Sequence, residues 1–112
     1  MQINDIGFPH LVVVDRKDGT RLGYELKLVG RPDTVLHRIR DAMYRAYHDV
    51  SEGHFREIKV VVVMYDKALI DDVRERLHHY REKLPRVPII LGVLEQKSPE
   101  GEGMQFVFDS EL

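Results

Sequence analysis

Hydrophobic positions along the first thirty residues predict two strands joined by a tight turn. His10–Asp15 is rich in β-branched residues, which favours a strand. The Asp-Gly pair inside Arg16–Gly19 is typical of a hairpin turn, because glycine accepts a positive φ. Thr20–Val29 is then the returning strand, and Gly30-Arg31-Pro32 ends it. The pattern therefore predicts an antiparallel hairpin at the start of the fold.

Two later segments carry apolar residues at helical spacing. The first helix is predicted from a cap at Asp33 or Thr34 through Val50. The second is predicted from about Lys67 to Leu84, followed by a proline-containing stretch. Both segments keep charged residues away from the apolar stripe, which is typical of helices that pack on one side.

Three further strands are predicted around and after the second helix. Ile58–Tyr65 is a nearly continuous apolar run, the pattern of a strand covered on both faces. Val87–Leu94 has the same character. After a polar, glycine-containing connection over Lys97–Gly103, Met104–Phe108 is predicted as a last strand at the edge of the sheet.

The order of these elements predicts the class of fold. A strand, a helix and a strand in succession favour parallel pairing through a crossover, whereas a hairpin is antiparallel. The expected order is β-β-α-β-α-β-β. We therefore predict an α/β protein with a single mixed sheet and an N-terminal antiparallel hairpin. Its 112 residues are expected to form one domain spanning 1–112.

Composition narrows the classes of function. The net charge of -2 gives no overall attraction to nucleic acid, so any basic surface has to be local. The absence of cysteine excludes disulfides and thiolate metal sites. No secretory signal or membrane-spanning run is recognisable, which predicts no membrane association and a cytoplasmic location.

The hairpin also brings candidate catalytic groups together. Period-2 alternation puts Glu25 and Lys27 on one face of the second strand. If the turn is centred near Asp18-Gly19, His10 lies opposite Lys27 and Val12 lies opposite Glu25. These positions would place His10, Glu25 and Lys27 on one face at one end of the sheet, where they could hold a metal ion and orient a water.

The residues GFPHLVVV and GYELKL, with the helix and strand that follow, resemble the PD-(D/E)XK nuclease superfamily in its VRR-type and archaeal resolvase-like branches. The resemblance covers about the first 65 residues and implies a restriction-endonuclease-like core. It implies that Glu25 and the backbone carbonyl of Leu26 ligate a divalent metal, Mg²⁺ or Mn²⁺. Lys27 would orient the attacking water, and the reaction would be hydrolysis of phosphodiester bonds in DNA or RNA.

The same resemblance extends to a Gln-x-x-x-Tyr pair on the following helix, where this chain has Arg40 and Tyr44. Together with Arg31 and Arg38 these residues are candidate nucleic-acid contacts, because guanidinium groups bind phosphate well. Acidic residues are interleaved with them, so a solvated helix face with ion pairs is an equally reasonable interpretation.

Two departures from the family pattern bear on activity. His10 stands where the family has aspartate, and imidazole suits Mn²⁺ better than Mg²⁺. His10 could instead act as a general base without a metal. Only nine residues precede it, so the core is expected to be reduced or completed by another subunit.

Three hypotheses of function remain open at this point. The first is a small metal-dependent nuclease using Glu25, Lys27 and His10. The second is a catalytically degenerate module of the same fold that binds nucleic acid or a protein partner. The third is an unrelated regulatory or assembly domain whose edge strand pairs with a second chain. A homo-oligomer is expected under all three, because a small sheet leaves edges to cover.

Overall fold

A computed structural model describes residues 11–96 and 103–112, and within them the fold is α/β. The strands and helices, in chain order, are β1 (Leu11–Asp15), β2 (Arg21–Leu28), α1 (Val35–Ser51), β3 (Glu57–Met64), α2 (Ile70–His79), β4 (Ile89–Gln96) and β5 (Met104–Glu111). Short 3-10 turns lie at Pro32–Thr34, Lys67–Leu69 and Arg81–Lys83.

The strands form one mixed sheet in the order β1-β2-β3-β4-β5. β2, β3 and β4 are parallel, and β1 and β5 pair antiparallel with β2 and β4. The predicted α/β class with a mixed sheet and an N-terminal antiparallel hairpin is therefore confirmed. None of the helices in the described ranges is long and apolar enough to cross a membrane.

The second helix is shorter than its predicted span of Lys67 to Leu84. Its start is delayed because the Asp66 carboxylate accepts a hydrogen bond from the Ala68 amide at 2.9 Å and caps a 3-10 turn. The helix ends at His79, and the chain continues in a 3-10 turn. In that turn the Arg81 guanidinium donates to the carbonyls of Pro85 and Val87, at 2.9 and 2.7 Å. These contacts involve residues outside the helical repeat, so the apolar pattern could not reveal them.

Both helices pack on the same face of the sheet, where the core lies. Two right-handed crossovers that advance the same way across a sheet place their helices on one side. α1 contributes residues such as Ile39 and Met43, and α2 contributes Val73 and Leu77. They pack against alternate residues of β3 and β4, such as Val60. The molecule is thus a two-layer arrangement of helices on a sheet.

The opposite side of the sheet, which we call the open face, carries no helix in the described ranges. Its apolar side chains come from all five strands: Val12, Val14, Leu22, Tyr24, Leu26, Leu28, Val61, Val63, Ile90, Leu94, Met104, Phe106 and Phe108. From Val60 to Met64 β3 is buried on both faces, as its apolar run predicted, although no helix of the described ranges lies over its open side. Val61 and Val63 are only 8% and 2% exposed because larger neighbours on the adjacent strands surround them.

Candidate functional site

The register of the hairpin differs by one residue from the expected one. Glu25 pairs with Leu11, and Tyr24 pairs with Val12. The reason lies in the turn, which is centred on Asp18: the Arg16 amide donates to the Thr20 carbonyl at 2.9 Å. Val12 and Val14 therefore lie on the open face, whereas Glu25 faces the helices. The placement of Val12 opposite Glu25 was wrong, and His10 lies outside the described residues.

Glu25 and Lys27 share the helix-facing side of β2, as predicted from strand periodicity. Glu25 is 7% exposed, and it is the single buried charged residue in the ranges that the structure covers. An Oε1 atom of Glu25 accepts a hydrogen bond from an Arg45 guanidinium nitrogen at 2.8 Å. Arg45 belongs to α1, so this ion pair joins the helix to the second strand.

The ion pair bears on the chemistry expected at Glu25. A metal ion would compete with the positive guanidinium of Arg45 for the same carboxylate oxygen. Within residues 11–96 and 103–112, no three His, Asp or Glu side chains lie close enough together to hold a metal ion. The described residues thus assign Glu25 a structural partner, and metal ligation by Glu25, the Leu26 carbonyl and His10 stays a prediction.

The four candidate nucleic-acid contacts do not form one surface. Arg31 pairs with Asp33 at 3.1 Å, and Arg38 donates to the Leu28 carbonyl at 3.2 Å. Arg40 and Tyr44 are one turn apart and exposed. Successive helical residues rotate by about 100°, so Arg38 and Arg40 point roughly 160° apart. A ligand on one side of α1 would therefore meet only part of this set.

The open face carries a hollow that the sequence patterns did not single out. It has a volume of about 390 Å³ and no charged residue lines it; its lining is Val12, Tyr24, Leu26, Val61, Val63, Ile90, Leu94 and Phe106. Its centre is β3, whose valines are shorter than the side chains on either side. Gly92 of β4 lets the Phe106 ring lie against the strand, because a side chain there would collide with that ring.

Several large apolar residues of the edge strands stand out from this face. Phe108 is 60% exposed, and Val12, Val14, Met104 and Phe106 are also exposed. Contiguous apolar areas on folded proteins commonly serve as interaction surfaces or line ligand-binding grooves. The sequence signal was present in β1 and β5, whose alternate residues are apolar where a solvated sheet face would be polar.

Charged groups of the open face are confined to one end of the described strands. Lys59 donates to the Glu111 carboxylate at 2.7 Å, and Glu57 lies 3.9 Å from the same ammonium group. The hydrogen bond that Lys59 donates to the Glu111 carboxylate raises the pKa of Lys59, because it stabilises the charged ammonium. This end of the face is therefore ionic, and the remainder is apolar.

Comparisons with protein-family models, with curated proteins and with solved structures find no match to this chain. The resemblance to nucleases thus rests on the quoted residues. In the described residues, two structural features bear on function: the Glu25–Arg45 ion pair beneath α1 and the apolar open face.

Proposed function

We propose that this protein is a protein-interaction module that binds a partner chain through its open face. The observation that carries the proposal is the hollow of about 390 Å³, which has no charged residue in its lining. An apolar surface gains free energy, about 25 cal/mol for each Å² removed from water, when a partner covers it. A substrate of phosphodiester chemistry, which is highly charged, would gain nothing there.

The sequence of β3 gives separate support. Parallel strands that are covered on both faces have continuous apolar runs, and β3 has such a run from Val60 to Met64. In the described part of the chain the helices supply cover on one face only. A second layer supplied by another chain accounts for the apolar residues on the other side.

The test combines molar mass with binding of a dye that fluoresces on apolar surfaces. If the open face is a recognition surface, the purified chain either is associated or binds the dye. Phe108→Asp should then lower association or dye fluorescence, because it puts a charge on the face. Tyr44→Asp is the matched control, since Tyr44 is 54% exposed and lies on α1, away from the sheet.

Two results would contradict the proposal. One is a monomeric chain that does not increase the fluorescence of the dye, because the face would then be covered within the chain itself. The other is an equal effect of Phe108→Asp and Tyr44→Asp on both measurements, because the response would then not belong to the open face.

A metal-dependent nuclease remains a second candidate, supported by the common face of Glu25 and Lys27 on β2. Cleavage of plasmid and single-stranded substrates with Mg²⁺ or Mn²⁺ would test it. Wild type is compared with Glu25→Gln and Lys27→Met, and Lys17→Met in the exposed hairpin turn is the control. Cleavage that the first two variants abolish supports the nuclease, and cleavage at the wild-type rate in all three rejects it.

A further inference from the structure

We infer that the partner of the open face is a second copy of this chain, packed sheet to sheet about a two-fold axis. The inference rests on the proposed function and names its partner. In such a pair the same surface is used by both copies, so the face has to be complementary to itself in area, shape and charge.

The area of the open face suits a stable dimer. β2, β3, β4 and β5 each have eight residues. These four strands are each about 26 Å long and the five-residue β1 is about 17 Å long, so at about 4.8 Å spacing the sheet has a flat area of roughly 600 Å². A surface of protruding side chains is larger than its flat outline, and stable interfaces bury about 800 Å² per partner.

The shape of the face is also suited to pairing with itself. The hollow over β3 is rimmed by larger side chains, and Phe108 extends the rim along β5. Packed sheets lie about 10 Å apart, and their side chains interdigitate to form a shared core. A second copy has a rim of the same height and a hollow of the same depth. If the two copies are slightly offset, the rim of each can pack into the hollow of the other.

The charges on the face favour a copy over a charged partner. Glu57, Lys59 and Glu111 are gathered at one end, where Lys59 is bonded to Glu111. The apolar remainder has no excess of one sign that would select an oppositely charged surface. Two copies can meet over their apolar areas while each ionic end stays at the rim and in contact with water.

Sedimentation equilibrium of the full chain over a wide range of concentrations tests the inference. We expect twice the monomer mass for wild type and for Tyr44→Asp. Val12→Asp and Phe108→Asp, at opposite edges of the face, should each raise the dissociation constant at least about 30-fold, because a charge loses its hydration in the interface. Both positions are exposed in the single chain, so these variants should fold, which circular dichroism checks.

The outcomes separate failure of the dimer from failure of the proposed function. A monomeric wild type that binds the apolar dye overturns the dimer and leaves the interaction module standing. A monomeric wild type that does not bind the dye overturns both. A dimer that persists unchanged in Val12→Asp and Phe108→Asp also overturns the inference, because another surface would then join the copies.

A single introduced cysteine gives an independent measure, since the chain has none of its own. Phe108→Cys should react with a maleimide more slowly as the protein concentration rises through the dissociation constant. Tyr44→Cys should react at a constant rate. Equal rates at all concentrations for both variants, in a chain that sediments as a dimer, would place the interface elsewhere and refute the inference.

Discussion

Gly92 shows how one residue shapes the open face. A Cβ atom built there would lie 2.1 Å from the Phe106 ring and 2.7 Å from the Val107 carbonyl oxygen. The ring can turn aside, but the carbonyl belongs to the paired backbone of β5 and cannot. Glycine at this position therefore lets the Phe106 ring lie down on β4 and form one wall of the hollow.

Gly92→Ala is expected to lower the free energy of unfolding by about 1–3 kcal/mol, because the added methyl group overpacks a site with no space. Chemical denaturation monitored by circular dichroism measures the change. Gly30→Ala is the control, because a Cβ atom there meets nothing within 4 Å and the residue has no positive φ. Equal free energies of unfolding for Gly92→Ala and wild type would contradict this prediction, because β5 would then shift without loss of stability.

Glu25 illustrates what sequence alone could and could not predict about a residue. Its shared face with Lys27 followed from the two-residue period of a strand. Its bond to Arg45, twenty positions away, depends on how α1 is rotated above the sheet. The hairpin register depended on whether the turn is centred on Asp18 or one half-residue later, which an Asp-Gly signal does not specify.

At the scale of elements, an ionic cluster fastens the last strand to the second helix. The Arg74 guanidinium on α2 donates to the carboxylate of Asp109 on β5 and to that of Asp71 on its own helix. The bond from Arg74, followed by that from Ser110, lowers the pKa of Asp109 below its ordinary value of 3.8. This attachment holds the edge strand in place, because β5 otherwise has a neighbour on one side only.

The lowered pKa of Asp109 predicts a loss of stability in acid. A carboxyl group with a depressed pKa in the folded state stabilises it above the ordinary value of 3.8. That contribution is lost as the pH falls through the lowered pKa. Asp109→Asn should therefore reduce the melting temperature at pH 7, and its difference from wild type should shrink as the pH falls toward 2.

Asp71→Asn is the matched control for this prediction, because it removes the other carboxylate bonded to Arg74 at a position that is 85% exposed. Its effect on the melting temperature should be smaller, since exposed ion pairs contribute little. A difference between Asp109→Asn and wild type that stays constant from pH 7 to pH 2 would contradict the assignment.

The existence of the elements was predictable, but their ends were not. Helical spacing identified the two helices, and β-branched or apolar runs identified the strands, because burial leaves a trace in the sequence. β5 continues to Glu111, beyond the predicted end at Phe108, because Glu111 pairs with Ile90 across an irregularity between Leu91 and Gly92. An irregularity of this kind depends on backbone geometry and leaves no apolar pattern.

At the scale of the whole molecule, the sheet has far more apolar surface than two helices cover. The continuous apolar run of β3 predicted a strand buried on both faces, and Val61 and Val63 are buried on the open face although no helix of the described ranges lies over them. A sequence records which residues avoid water, but it does not record whether the cover comes from the same chain.

An association driven by apolar burial should depend weakly on salt. We expect the dissociation constant of the dimer to change by less than about tenfold between 50 and 500 mM NaCl, because exposed charges are screened and apolar contacts are not. Binding to nucleic acid would weaken much more steeply over that range. Sedimentation at several salt concentrations, with a fluorescent oligonucleotide as the alternative ligand, distinguishes the two.

A steep loss of self-association at high salt would contradict the apolar interface and favour ionic contacts at the Lys59 end of the face. Lys59→Met, which removes the bond to Glu111, identifies this case because it would abolish the salt dependence.

The order of the strands also governs how the protein can be made. Each described strand joins the sheet beside the strand that precedes it in the chain, so no strand has to enter between two that are already paired. The sheet can grow from its N-terminal edge as the polypeptide leaves the ribosome. Self-association would wait for β5, because Met104, Phe106 and Phe108 are the last part of the face to be synthesised. Nascent chains would thus lack this part of the pairing surface until their own sheets are complete.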